Sequence, residues 1–168
     1  MLLYVDKQND KDTICGYNMT FVEYKCYIER TGGNIRSLAF DPVTEILFFT
    51  DTKKSSINWF SFKPGSKNND SGNLLIKFDG AIPTDIAVDS CRGYIYWINT
   101  NLRRPSIERA RLNGSEREVV YSTTNQLDLH SLAIDQKTQK FFWFMPENNL
   151  RVLFNSADLN GRNMQTLV

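Results

Sequence analysis

One five-residue pattern recurs three times at near-constant spacing, and it restricts the possible folds of this 168-residue chain more than any other feature. Ser37-Leu38-Ala39-Phe40-Asp41 returns as Asp85-Ile86-Ala87-Val88-Asp89 and as Ser131-Leu132-Ala133-Ile134-Asp135. Each copy is a polar residue, a bulky aliphatic, an Ala, an apolar residue and an Asp, and the Asp residues lie 48 and 46 positions apart. A second apolar run follows every copy after a polar turn, with Phe48, Tyr96 and Phe142 each seven positions past the Asp. The turns 41–45, 89–93 and 135–139 carry Asp, Pro, Gly and Thr, the residues that reverse a hairpin. At the head of such a turn an Asp carboxylate accepts hydrogen bonds from backbone amides two or three residues on, which assigns a structural role to Asp41, Asp89 and Asp135.

A third run occupies 56–62, 106–112 and 151–159 and closes in Pro64-Gly65, Asn113-Gly114 and Asn160-Gly161. A fourth follows at 74–78, 118–121 and 164–168. Aromatic and branched side chains fill these short runs, as expected of strands. Each unit therefore reads as a four-stranded antiparallel meander with two apolar faces, and it needs neighbours to bury them. Radial stacking of such sheets is the propeller solution, with a short inner strand of small residues that Ala39, Ala87 and Ala133 suit. The all-β chain divides into a partial blade with a Cys-containing segment at 1–35 and full blades at 36–83, 84–129 and 130–168. Such an arc cannot close a ring, and its end blades would expose apolar faces and strand edges, so the remaining blades are expected from sequence outside these residues.

Twenty Lys and Arg balance 19 Asp and Glu, leaving a net charge of +1, so no overall field draws the chain to nucleic acid or to anionic lipid. The opening Met1-Leu2-Leu3-Tyr4-Val5-Asp6 lacks the pattern of a signal peptide, and no stretch is long and apolar enough for a bilayer span. Membrane anchoring would have to come from outside these residues. Of the three cysteines, Cys15 and Cys26 can close a small loop, and a disulfide is expected between them; Cys91 reads as buried or paired elsewhere. Asn18, Asn69 and Asn113 each begin an Asn-x-Ser/Thr triplet and are glycosylation candidates that lean toward the secretory route.

Catalysis and metal binding find little support. The single histidine, His130, sits where sister copies carry Arg36 and Thr84, so it reads as a strand-start residue and not a general base. The sequence lacks Cys-x-x-Cys, His-Glu-x-x-His, a phosphate loop and EF-hand spacing, so neither metal nor cofactor is expected. A calcium-dependent propeller hydrolase would need carboxylates at the inner-strand starts, where only Asp85 is acidic. Asn101, Arg103 and Arg104 form the most distinctive charged loop, a solvated loop or a contact for an acidic partner. Trp59, in a strand, reads as core.

The second runs Leu3-Tyr4-Val5-Asp6, Phe48-Phe49-Thr50-Asp51, Tyr96-Trp97-Ile98-Asn99 and Phe142-Trp143-Phe144-Met145 resemble the Tyr-Trp-Thr-Asp signature of low-density-lipoprotein-receptor class B repeats. The resemblance covers almost the whole chain and implies a six-bladed, non-enzymatic, protein-binding propeller with structural roles for Asp51, Trp97 and Trp143. The signature Asp becomes Asn99 and Met145 in the later copies, which implies a last blade held more by apolar packing. A narrower likeness at 87–92, 96–101 and 105–109 to an insect member implies the extracellular part of a single-pass type I membrane protein. It also implies an EGF-like domain elsewhere and a role in spermatogenesis and oogenesis.

Overall fold

The computed structural model describes residues 1–100, 104–123, 129–148 and 151–167, and all regular structure among them is strand. The first sheet has three strands, β1 (Leu2–Gln8), β2 (Lys11–Asn18) and β3 (Glu23–Thr31). The second comprises β4 (Ile35–Asp41), β5 (Ile46–Asp51), β6 (Ser56–Ser61) and β7 (Asn73–Lys77). The third comprises β8 (Ile82–Asp89), β9 (Tyr94–Thr100), β10 (Ser106–Arg111) and β11 (Glu118–Ser122). The fourth comprises β12 (His130–Asp135), β13 (Lys140–Asn148), β14 (Arg151–Asp158) and β15 (Gln165–Thr166). Every pairing is antiparallel between sequence neighbours, giving one partial and three full blades of an incomplete YWTD-type propeller.

The second strand of each blade explains how the blades join. Strand side chains alternate between faces, so a continuous apolar run feeds two cores at once. On β5, Leu47 and Phe49 enter a cluster with Ile14, Ile28 and Ile35, while Phe48 enters the next with Ile86, Ile95 and Trp97. On β9, Ile95 and Trp97 face back in that same second cluster, and Tyr96 and Ile98 face forward into a third with Phe141, Trp143 and Met145. Phe49, Trp97 and Trp143 are thus equivalent, fully buried anchors pointing at the preceding blade. Burying an aromatic side chain of this size contributes about 1.5–3 kcal/mol.

Each inner strand carries a bulge where two residues oppose one on its partner: 36–37 in β4, 84–85 in β8 and 131–132 in β12. The last is displaced by one position relative to the repeat, and Ser131 takes a left-handed φ of 55° there. The third-to-fourth-strand turns also tie blades together. A side chain on Gly161, in the β14–β15 turn, would lie 1.7 Å from the Val120 carbonyl oxygen of the preceding blade, so only glycine permits that approach.

Several positions differ from their sequence expectation. Pro64-Gly65 does not lead straight into the fourth strand, because the chain folds back so that Asn68 caps the β6 edge, accepting from the Ser61 amide at 2.9 Å and donating to its carbonyl at 2.7 Å. Ala39 and Ala87 are buried at the crowded inner position, but Ala133 is exposed, since no described strand covers β12 from the far side. Cys91 is an exposed free thiol beside Gln136, not a buried one. Glu108 is buried despite its charge, held by Asn99 and Arg117. Trp59 is only half-buried.

Candidate interaction face

The links between blades (32–34, 78–81) and the loop from β5 to β6 leave the sheets at one end, and Arg36 and His130 begin their inner strands there. Strand β9 ends and β10 begins at the same end. A depression of about 550 Å³ opens on it, lined by Asn34, Arg36, Thr84, Asp85, Thr100 and His130 among others. These are the non-repeating positions of a repeating frame, so they give the mouth its individual chemistry. Of the sequence-proposed contact loop, Arg104 is exposed at this end, while Asn101 and Arg103 lie outside the described residues.

The floor of the mouth is fixed by backbone-directed bonds. Asp85 Oδ2 accepts from the Ser131 amide at 2.9 Å, and Ser37 Oγ accepts from the Ile86 amide at 3.3 Å, so each inner strand holds the next through the same position. Thr50 donates its hydroxyl to the Thr84 carbonyl at 2.6 Å. Asp85, the carboxylate near the start of an inner strand, is therefore committed to a joint, and among the described residues no group of three or more His, Cys, Asp or Glu side chains could hold a metal ion.

Beneath the link at 32–34 lies the strongest polar joint. Asp51 is fully buried; it pairs with Arg30 of the preceding blade and accepts from the Asn34 amide at 3.0 Å and the Lys54 amide at 2.9 Å. Burial alone would raise the pKa of this carboxyl, but the two amides and the guanidinium outweigh it and hold the group below the ordinary aspartate value. Arg30 also donates to the Ser71 carbonyl at 2.8 Å and lies over the Phe49 ring. Asp12 accepts from the Ile35 amide at 2.5 Å, closing the same link. Arg30 and Asp12 were not singled out from sequence, because neither occupies a repeat position; a basic residue ending the run 23–31 ahead of a signature Asp was the only available signal.

The remaining sequence-derived positions are placed as follows. Asp41, Asp89 and Asp135 head the first turns: Asp41 accepts from the Val43 amide at 3.2 Å, Asp89 from Cys91 at 3.2 Å and Asp135 from Lys137 at 2.9 Å. Cys15 and Cys26 face each other across β2 and β3 and are joined by a disulfide. Asn69 and Asn113 are exposed and Asn18 half-buried.

Repeats, joints and mouth define the class: this chain is an arc of a YWTD-type β-propeller. The family described as low-density lipoprotein receptor repeat class B matches residues 93–135, from the second strand of the third blade to the inner strand of the fourth. Among curated proteins, the chain is similar to protein cueball of Drosophila persimilis and to that of Drosophila yakuba, each 31% identical over 144 residues. Those matches cover 84% of this chain and 22% of each relative, so the chain corresponds to about a fifth of their length. Among solved structures, a chain of the crystal structure of the nidogen/laminin complex superposes with a TM-score of 0.78 at 23% identity, over 99% of this chain and 60% of that one. At that identity the likeness is one of fold.

Proposed function

We propose that this chain is part of the extracellular, protein-binding propeller of a receptor-like, single-pass type I membrane protein, and that it binds its partner at the link face around Arg36, Arg104 and His130. The observation that carries this reading is the mouth itself: non-repeating polar side chains converge on a depression whose walls are locked strand to strand. Rigid strands that present variable loops suit recognition better than chemistry, and we infer no enzymatic role. The nidogen/laminin complex, an assembly of proteins containing a chain of this fold, supports a protein as the ligand. The resemblance at 87–92, 96–101 and 105–109 is what implies membrane attachment and a role in spermatogenesis and oogenesis.

The test is capture of partners from germ-line tissue by the full-length protein. Reversing charge at the mouth (Arg36→Glu with Arg104→Glu) is expected to abolish retention of at least one saturable protein, while Val43→Glu and Lys137→Glu on the opposite end leave it intact. Equal retention by both variants would remove the link face as the binding surface.

A further inference from the structure

We propose that Asn113 carries an N-linked glycan and that its first sugar lies in the apolar groove beside it. The proposal rests on the extracellular reading above and goes beyond it by assigning a modification and a place for it to sit. Asn113 heads the triplet Asn113-Gly114-Ser115 in the turn between β10 and β11, and it is exposed. Its Oδ1 accepts from the Ser115 amide at 3.0 Å and from the Ser115 hydroxyl at 2.7 Å. Its Nδ2 hydrogens meet no acceptor among the described residues. Among the described residues the amide nitrogen that would take the sugar is unengaged, and the hydroxyl that the triplet requires is already turned onto the same side chain.

The turn is fixed over the rim of the disc. A Cβ built on Gly114, whose φ is 84°, would stand in ordinary contact with Leu75 of the preceding blade, 3.5 Å from its side chain. The Gly114 amide donates to the Arg111 carbonyl at 2.8 Å, and the Arg111 amide to the Ser115 carbonyl at 2.8 Å. Asn113 thereby becomes one wall of a groove of about 430 Å³ whose other walls are Ile46, Trp59, Leu74, Leu75 and Leu112. That volume falls in the range of small-ligand sites, about 300–1,000 Å³. The groove is apolar and open, with Leu74 59% exposed, and it can take the apolar face of a sugar. The C–H face of an N-acetylhexosamine tethered at Asn113 stacks on an indole as a planar apolar surface does, and Trp59 is the half-buried indole within reach.

Asn69 and the turn equivalent to Asn113 lack this pairing. Asn69 opens on a groove walled by Arg30, Lys54 and Lys77, and Asn160-Gly161-Arg162 in the equivalent turn has no hydroxyl and uses its Oδ1 to accept from Arg109 at 3.0 Å. In the transfer, the Asn113 amide nitrogen attacks the anomeric carbon of a lipid pyrophosphate-linked oligosaccharide. The C–N bond forms, the bond from that carbon to the pyrophosphate oxygen breaks, and the pyrophosphate leaves with its lipid while the amide proton passes to a base. The glycan projects from the rim and leaves both ends of the propeller open.

The test uses the full-length protein expressed in cultured eukaryotic cells, with and without peptide-N-glycosidase. Peptide mapping is expected to show Asn113 converted to Asp by the enzyme. Trp97 and Trp143 are fully buried, so the difference in acrylamide quenching between the native protein and Trp59→Phe reads Trp59. That quenching is expected to rise about twofold on deglycosylation, and equally in Ser115→Ala, as the indole loses the ring covering it. A protein displayed at the cell surface with Asn113 bare overturns the site. A glycosylated Asn113 with unchanged Trp59 quenching overturns the groove as its seat. Protein retained in the cytosol with Asn18, Asn69 and Asn113 all bare overturns the extracellular reading itself.

Discussion

The first and third joints between blades solve the same packing problem with opposite chemistry. At the first, the signature position is Asp51, buried against Arg30 and two amides. At the third, the same position is Met145, packed with Trp143 in an apolar cluster where Tyr121 and Trp143 rings lie 4.7 Å apart. Polar contacts there move outward: the Tyr96 hydroxyl and Arg109 both donate to the Leu159 carbonyl, at 3.0 and 2.8 Å. Burial raises the Tyr96 pKa even though Arg109 opposes the shift. The second joint is intermediate, with Asn99 donating to Glu108 at 2.6 Å and Arg117 bridging Glu108 to the Phe78 and Trp97 rings. The backbone frame thus tolerates any of these solutions provided that the position faces the preceding blade and leaves no charge unpaired.

The largest expected effect breaks the first joint. Arg30→Ala leaves Asp51 buried without its cation and should cost about 3–5 kcal/mol in urea unfolding. Arg30→Met with Asp51→Leu, which imitates the third joint, should recover most of that loss, and failure to recover would show that the two chemistries are not interchangeable. Next is Gly161→Ala, which drives a methyl group into the Val120 backbone at the third joint and should cost about 3 kcal/mol. Gly114→Ala at the second joint has ordinary clearance from Leu75 and should cost about 1 kcal/mol, from its left-handed φ alone. Equal melting-temperature shifts for the two would contradict the close approach at Gly161.

A smaller effect separates covered from uncovered inner strands. Ala87→Leu should destabilise by about 1–3 kcal/mol, and Ala133→Leu, exposed, by less than about 0.5 kcal/mol. The least is a pH effect. Since the folded pKa of Asp51 is lowered, its contribution is full above the unfolded aspartate value of about 3.9 and is lost as pH falls through the folded value. Acid titration followed by hydrogen exchange should therefore loosen the first joint before the third; the reverse order would place the acid-sensitive group elsewhere.

Much of this frame was legible in the sequence because its signals are local. Ala39, Asp41 and Phe48 stand at fixed offsets within one hairpin, and the spacing alone gives strand order and turns. The joints were legible only on the repeat side. Asp51 could be singled out, but Arg30 comes from a non-repeating position brought to it from the preceding blade by radial stacking. The mouth was harder still, since Arg36, Thr84 and His130 converge only when three inner strands lie side by side. Asn68 replacing a strand at the β6 edge, and the displaced bulge at Ser131, arise from side-chain and backbone geometry that spacing does not encode.

Residue-resolved hydrogen exchange on the full-length protein, comparing wild type with Arg30→Met, tests most directly the claim that each joint is held by the residue its second strand turns backward. Faster exchange confined to β3, β4 and the link at 32–34, with β12–β14 unchanged, is the expected result. A uniform rise across all four blades, or no change at the link, would contradict it.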